Sequence, residues 1–268
     1  MKVAVGGGRG FIGAAIVRAL ERAKLEVIVF GREGPPREPA DVLVWAAGGR
    51  EPDFAANRAA HVDAPLAAVR ATQPQTIVYL SSAEIYGGAP VPFSETSPID
   101  PRTPYAIAKH EGERALAGVA PSFFAIRPGV VYGPGQAPRM LVPRVIDALR
   151  TSTRLPLTPG DQTRDFLYVD DLAALVASCV TDDPSPGIYN AGTGRELSIK
   201  QACTLIANAI DPARISLLDF GAVEHRPDEQ LRYVLDASRA ATRAHWRAQV
   251  AFEDGVARTI ASAPSRTP

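Results

Sequence analysis

A glycine-rich turn near the N-terminus constrains this chain most. Val3-Ala4-Val5 is a short apolar run of β type, followed at once by Gly6-Gly7-Gly8-Arg9-Gly10-Phe11-Ile12-Gly13. From Phe11 onward the apolar residues Ile12, Ala15, Ile16, Ala19 and Leu20 recur with helical spacing. A strand that passes into a helix through Gly7, Gly10 and Gly13 needs backbone freedom and close approach at the turn. The first N–H groups of such a helix have no partners within it and offer themselves to an anion. The turn therefore predicts dinucleotide binding at Gly7, Arg9, Gly10, Phe11, Ile12 and Gly13. A merely flexible glycine loop would share the composition but not the place between a strand and a helix.

The rest of the chain supplies the sheet. Apolar runs at 27–30, 42–46, 76–80 and 123–126 alternate with helical patterns at 54–71 and 105–116. Continuous apolar strands separated by helices predict an α/β fold, a doubly wound, Rossmann-like parallel sheet covered on both faces. One interval breaks the rhythm. Gly31 to Asp41 is eleven residues rich in proline and glycine, with no helical period, so the crossover after strand two is expected to be reduced to a loop. Beyond Gly133 the pattern loosens into helices at 141–149, 170–180 and 198–210 and strands at 187–190 and 231–235. This predicts a dinucleotide-binding domain from 1–132 with 164–194, and a smaller substrate lobe from 133–163 with 195–268.

Charge excludes several partners. Lys+Arg and Asp+Glu are equal at 29 each, so no net field draws in nucleic acid or an acidic membrane. No apolar run reaches the ~18 residues of a membrane helix, and the N-terminus reads as a strand and turn rather than a leader. Cys179 and Cys203 are the only cysteines, too few for a disulfide framework or a zinc site, which predicts a metal-free protein of the reducing cytoplasm. Only Lys2, Lys24, Lys109 and Lys200 are lysines, so each lysine is informative.

Two features point to chemistry. Where strand two ends, an acid favours NAD through the adenosine ribose, and an arginine accommodates the 2′-phosphate of NADP. Here Gly31 stands in the acid's place and Arg32 follows, with Arg9 available as a second cation. That predicts NADP, with NAD as the alternative; two solvated surface arginines would give the same letters. Further on, Tyr105 and Lys109 lie one turn apart on a predicted helix and share a face. A tyrosine with its ordinary pKa of ~10 is a poor acid–base at neutral pH, and a cation one turn away, together with a nearby oxidised nicotinamide, stabilises its phenolate. The strand at 76–80 ends in Ser81-Ser82, whose hydroxyl could hold a substrate oxygen and share its proton with Tyr105.

These blocks together resemble the extended short-chain dehydrogenase/reductase group, and within it the NAD-dependent epimerase/dehydratase family that works on nucleotide sugars. The resemblance runs through GGGRGFIG at 6–13, VLVWAAG at 42–48, Asn57, YLSSAEIYG at 79–87, PYAIAK at 104–109, IRPGVVYGPG at 126–135, RDFLYVDDLA at 164–173, GIYNAGTG at 187–194 and RPDE at 226–229. It implies that Ser82, Tyr105 and Lys109 are catalytic and that Ala46, Ala47 and Gly48 line the cofactor together with Tyr105 and Lys109. It implies substrate contacts at Glu84, Val130, Arg164 and Arg226, the two arginines gripping the diphosphate. Tyr86 reads as packing, and Asp170 and Asp171 as caps of the next helix.

Three departures qualify the resemblance. Family dehydratases carry an Asp-Glu pair after the catalytic residue, where this chain has Ala83-Glu84; the family's substrate-contacting Asn is Val130 here; and the crossover after strand two is missing. Together these predict an NADP-dependent reductase of a 4-keto-sugar nucleotide. The alternatives are a 4-epimerase with tightly bound NAD, a reductase of a non-sugar carbonyl, and a non-catalytic dinucleotide sensor. The resemblance further implies a homodimer built on the helices at 54–71 and 105–116.

Overall fold

The computed structural model describes residues 1–182, 184–225 and 229–262. Its strands are β1 (Lys2–Gly6), β2 (Glu26–Phe30), β3 (Val42–Trp45), β4 (Thr76–Leu80), β5 (Ser122–Pro128), β6 (Val130–Tyr132), β7 (Leu155–Leu157), β8 (Thr163–Tyr168), β9 (Gly187–Ala191), β10 (Glu196–Ser198) and β11 (Leu218–Phe220). The helices are α1 (Phe11–Arg22), α2 (Phe54–Arg58), α3 (Ala64–Thr72), α4 (Pro104–Leu116), α5 (Leu141–Arg150), α6 (Val169–Thr181), α7 (Ile199–Ile210), α8 (Ser238–Arg243) and α9 (Phe252–Ser262).

Six parallel strands form the main sheet in the order β2-β1-β3-β4-β5-β9. Side chains alternate across it. Val3, Val5, Val44, Val78 and Ile126 pack beneath α1 and α6 through Ile16, Leu20, Leu172 and Val176. Ala4, Leu43, Ile77 and Tyr79 face the other way, against Ala68, Val69 and Leu116. Burial on both faces is why these strands read as continuous apolar runs. Between β2 and β3 the chain crosses β1 without a helix, as the Gly31–Asp41 composition predicts. The topology reverses between β1 and β3, so the C-terminal ends of those strands open a crevice.

The helical pattern at 54–71 is continuous but interrupted. A π turn, Ala59–Asp63, joins α2 to α3. Pro65 has no N–H to give the His61 carbonyl four residues before it. The Tyr79 hydroxyl donates to that carbonyl instead, at 3.0 Å. The wider turn thus brings His61 against the sheet end.

A smaller lobe holds a three-stranded sheet, β10-β8-β6, and the pair β11-β7. Its core joins α5, α7 and α9 through Val145, Leu149, Ile206 and Val256. Ser198 and Gln201 form the capping box of α7. Two expectations fail here. The stretch 231–235 is not a strand; Leu235 makes only an isolated bridge with Phe93, because its amide is taken by the buried Asp165 carboxylate. Asp171 does not cap α6; its carboxylate accepts from the Gln249 and Val250 amides, and Asp170 pairs with Arg18 at 3.6 Å. Among the described residues no helix is long and apolar enough to cross a membrane.

Candidate active site

The glycine turn has the geometry its letters predict. Gly7 takes φ +76°, and a Cβ there would lie 2.6 Å from the Ala47 backbone. At Gly13 a Cβ would lie 2.1 Å from the Gly7 carbonyl oxygen, so α1 can start this close to β1 only with glycine. Gly10 precedes α1 with no side chain capping the helix, and the first turn carries no acid. The amides of Phe11 and Ile12 therefore face the crevice with no partner inside the helix. Uncapped amides and no negative charge fit a dinucleotide pyrophosphate.

At the end of β2 the arrangement departs from the simple reading of Gly31 and Arg32. Arg32 is exposed. Arg9 is engaged by Glu33, Nη1 to Oε1 at 2.6 Å; the Glu33 carboxylate lies against Gly31, one oxygen 3.3 Å from where a Cβ there would stand, and its own N–H, then Arg9, hold it below the usual range. An acid therefore does stand beside Gly31, two residues later in the sequence than the expected position.

Contacts lead from this turn to Tyr105. Gly7 abuts Ala47, and Ala46 donates its amide to Gly6 at 2.9 Å. Gly48, at φ +90°, leaves no room for a Cβ against the His61 ring. His61 meets the Tyr105 ring edge-on at 5.2 Å and binds the Gly49 carbonyl through Nε2 at 2.8 Å. Burial and the nearby Lys109 hold its imidazole down at about 3, so it is neutral.

Ser82 lies two residues beyond β4 and caps a short 3-10 turn, Ala83–Tyr86, with its Oγ accepting from the Glu84 amide at 3.1 Å. Thr103 caps α4 and gives its hydroxyl to Glu84 at 2.6 Å. Tyr105 and Lys109 follow on α4, sharing a face as predicted. Lys109 is buried at 3% exposure and donates from Nζ to the Leu80 carbonyl at 2.6 Å. Its Nζ lies 5.8 Å from the Tyr105 ring centre.

Burial dominates the electrostatics of these two groups. Burial pushes the Tyr105 phenol up to about 12, reinforced by Glu84, with Arg50 and a hydrogen bond from Ser82 pulling the other way. Burial pulls Lys109 down to about 7, against the favourable charge of Glu113. Glu84, Arg50 and Ser82, not Lys109, are the side chains that act on the phenol beside burial. The Lys109 head group is turned to Leu80 and carries only part of its charge.

The lobe side is less open than the arginines suggest. Arg164, on β8, donates to the carbonyls of Thr163 and Gln230 at 2.7 and 2.9 Å and forms an ion pair with Glu229. Val130, in β6, pairs with Phe166 of β8 and packs on the lobe core. Arg226 lies outside the described residues. Tyr86 is structural: its hydroxyl donates to Asn190 at 2.6 Å and accepts from Arg127 at 3.0 Å, beside the buried Arg127–Glu113 fork.

Sequence reasoning missed Arg50. Its guanidinium forks onto both Glu84 oxygens, one contact at 3.0 Å, and its Cζ lies 4.9 Å over the Tyr105 ring. No local signal marks it, since Arg50 and Glu84 are 34 residues apart.

The model of the NAD dependent epimerase/dehydratase family matches residues 45–192. The chain belongs to that family. Its members work on nucleotide sugars with NAD, and similar proteins are their dehydratases and epimerases. dTDP-glucose 4,6-dehydratase of Shigella flexneri is 26% identical over 333 aligned positions, covering 97% of this chain and 92% of the relative. Two further dehydratases of that kind align over only 55% and 56% of their own length. Among solved structures, MoeE5 in complex with UDP-glucuronic acid and NAD superposes with TM-score 0.87, at 24% identity over 97% of this chain and 98% of that one. UDP-glucose 4-epimerase of Thermotoga maritima with UDP-glucose gives TM-score 0.86, at 20% identity over 98% of both. These two likenesses establish the α/β fold with its six-stranded parallel sheet.

Proposed function

We propose that the protein oxidises and re-reduces one carbinol carbon of a nucleotide sugar with NAD retained in the site, as a 4-epimerase does. The observation that carries this reading is the continuous line of contacts from the glycine turn through Ala47, Gly48 and His61 to Tyr105, with Ser82 and Lys109 beside it. A bound oxidised nicotinamide supplies the hydride acceptor and a positive charge. Ser82 holds the substrate hydroxyl, Tyr105 takes its proton and returns it, and Lys109 shares its charge between the phenolate and the cofactor ribose.

Glu33 favours NAD over NADP. Its carboxylate, beside Gly31 and held by Arg9, suits ribose hydroxyls and opposes a 2′-phosphate. Ala83 argues against elimination: it is fully buried and apolar, so no acid stands where a dehydratase needs its proton donor. No 4-keto-6-deoxy product should form from any nucleoside-diphosphate hexose.

A second reading, net reduction of a 4-keto-sugar nucleotide by NADPH, is favoured by the helix-free 31–41 link and the exposed Arg32, which leave the adenine side open to exchange. Nucleotide released from the purified, denatured protein separates the two. Stoichiometric bound NAD, with sugar interconversion that needs no added cofactor, supports epimerisation. Cofactor-free protein that consumes NADPH with a keto-sugar refutes it. Pairing of two copies through α2, α3 and α4 belongs to the same proposal and is tested by sedimentation.

A further inference from the structure

Arg50 sits on an exposed loop, yet the loop is pinned on both sides of it. His61 holds the Gly49 carbonyl at 2.8 Å. Asn57, fully buried, accepts from the Glu51 amide at 3.1 Å and donates to the Glu51 and Asp53 carbonyls at 3.0 and 2.6 Å. Two buried side chains spent on fixing a loop around one arginine are not needed for a solvated surface cation. The side chain so placed reaches Glu84 with both Nη atoms and covers the Tyr105 ring.

We infer that Arg50 is a positioning residue for the Tyr105 phenol: its guanidinium, forked onto Glu84 and laid over the ring, neutralises the Glu84 carboxylate and stabilises the phenolate. The inference rests on the reading of Tyr105 as the proton-transfer group. The groups that face Tyr105 are Ser82 and Glu84 from the 3-10 turn, Lys109 from its own helix, His61 from the π turn, Tyr79 from β4, Tyr233 from the segment after Glu229, and Arg50. His61 is neutral, and the two tyrosines stay protonated because burial pushes both phenols well up. Glu84 disfavours the phenolate. Lys109 and Arg50 are the cations, and Arg50 is the nearer to the ring, 4.9 against 5.8 Å. Arg50 thus opposes the Glu84 carboxylate across the phenol and limits how far burial and Glu84 raise it.

An opposite charge within ~4–6 Å lowers an acid's pKa by about 1–3 units. Arg50 is half exposed and shared with Glu84, which places its effect near the low end, about one pH unit. The test uses full-length protein in which the seven tyrosines are replaced by difluorotyrosine, whose phenol titrates low enough to follow while the protein stays folded. The Tyr105 fluorine resonance is assigned by its loss in Tyr105→Phe. Arg50→Gln should raise that resonance's titration midpoint by about one pH unit, Arg50→Lys by less, and Glu84→Gln should lower it. The variants' unfolding midpoints establish that they remain folded. An unchanged midpoint in folded Arg50→Gln overturns the inference. The alkaline-going limb of kcat/KM should move with the resonance. Should the resonance move and that limb stay put, Arg50 still tunes the phenol, and it is the assignment of Tyr105 to proton transfer that falls.

Discussion

Replacing Lys109 with Met should make the cofactor-free protein more stable while removing its activity. The ammonium is buried at 3% exposure, and burial lowers it from the ordinary 10.5 to about 7. Between those values the unfolded chain holds a proton that the folded chain has released, so wild-type stability rises with pH across that window. Near pH 7.5 the displacement amounts to ~4 kcal/mol against the fold, at ~1.4 kcal/mol per pH unit. Methionine keeps most of the aliphatic stem. It loses the bond to the Leu80 carbonyl, and leaving that carbonyl unpaired costs about 1–3 kcal/mol. The net gain is therefore about 1–3 kcal/mol, which for a chain of this size is roughly 5 °C in Tm. Calorimetry of nucleotide-free protein should find that gain near neutrality and find it shrinking toward pH ~10, where the wild-type penalty has gone. Turnover and dinucleotide affinity should both collapse in the same variant. A variant less stable than wild type near neutrality, or a gap that ignores pH, would show that Lys109 is paired well enough to hold its charge in the ligand-free site.

Three further outcomes follow from the same geometry. Tyr105→Phe removes the hydroxyl but keeps the ring against His61 and Arg50, so turnover should fall by ~10²-fold or more with nucleotide affinity nearly kept, read by steady-state kinetics and calorimetric titration. Glu33→Ala should weaken NAD and narrow its margin over NADP, whereas Arg32→Ala should leave NAD binding unchanged; titrations with both dinucleotides decide this. Glu113→Gln breaks a fork to Arg127 in which both partners are buried, and urea denaturation at neutral pH should find a loss of about 3 kcal/mol. Since Arg127 holds the Glu113 carboxyl down to about 2, wild type should keep that advantage above pH ~4.5 and lose it as pH falls toward 2.

Elements that bury both faces were legible because burial writes itself into composition. β1, β3, β4 and α1 stand where their apolar runs and helical period put them. The Ser82, Tyr105 and Lys109 grouping was legible for a related reason: a strand end and a one-turn helical spacing fix where those side chains emerge. The lobe was not. β6, β7, β10 and β11 have three residues each, too few for any period to register. The alternation at 231–235 imitated a strand, but its polar groups were claimed elsewhere: the Leu235 amide by Asp165 and the Val234 carbonyl by the Phe93 amide at 2.9 Å. Glu33 escaped notice because the turn after Gly31 folds its carboxylate back by two residues, a displacement no strand-end rule encodes.

Tyr105 and Lys109 respond to charge in the crevice in different ways. At neutral pH a phenol near 12 keeps its proton, whereas an amine near 7 is close to half charged. Both values have one dominant cause, desolvation, and desolvation penalises any charged form regardless of sign. A positive charge arriving in the crevice acts on the two groups differently. It favours the phenolate directly, and it disfavours the ammonium until the phenolate forms beside it; then the two stabilise each other. On the reading proposed above, a cationic cofactor would couple Tyr105 and Lys109. Arg50 and Glu84, locked onto each other across the Tyr105 ring, set how far the phenol must fall to reach that coupling.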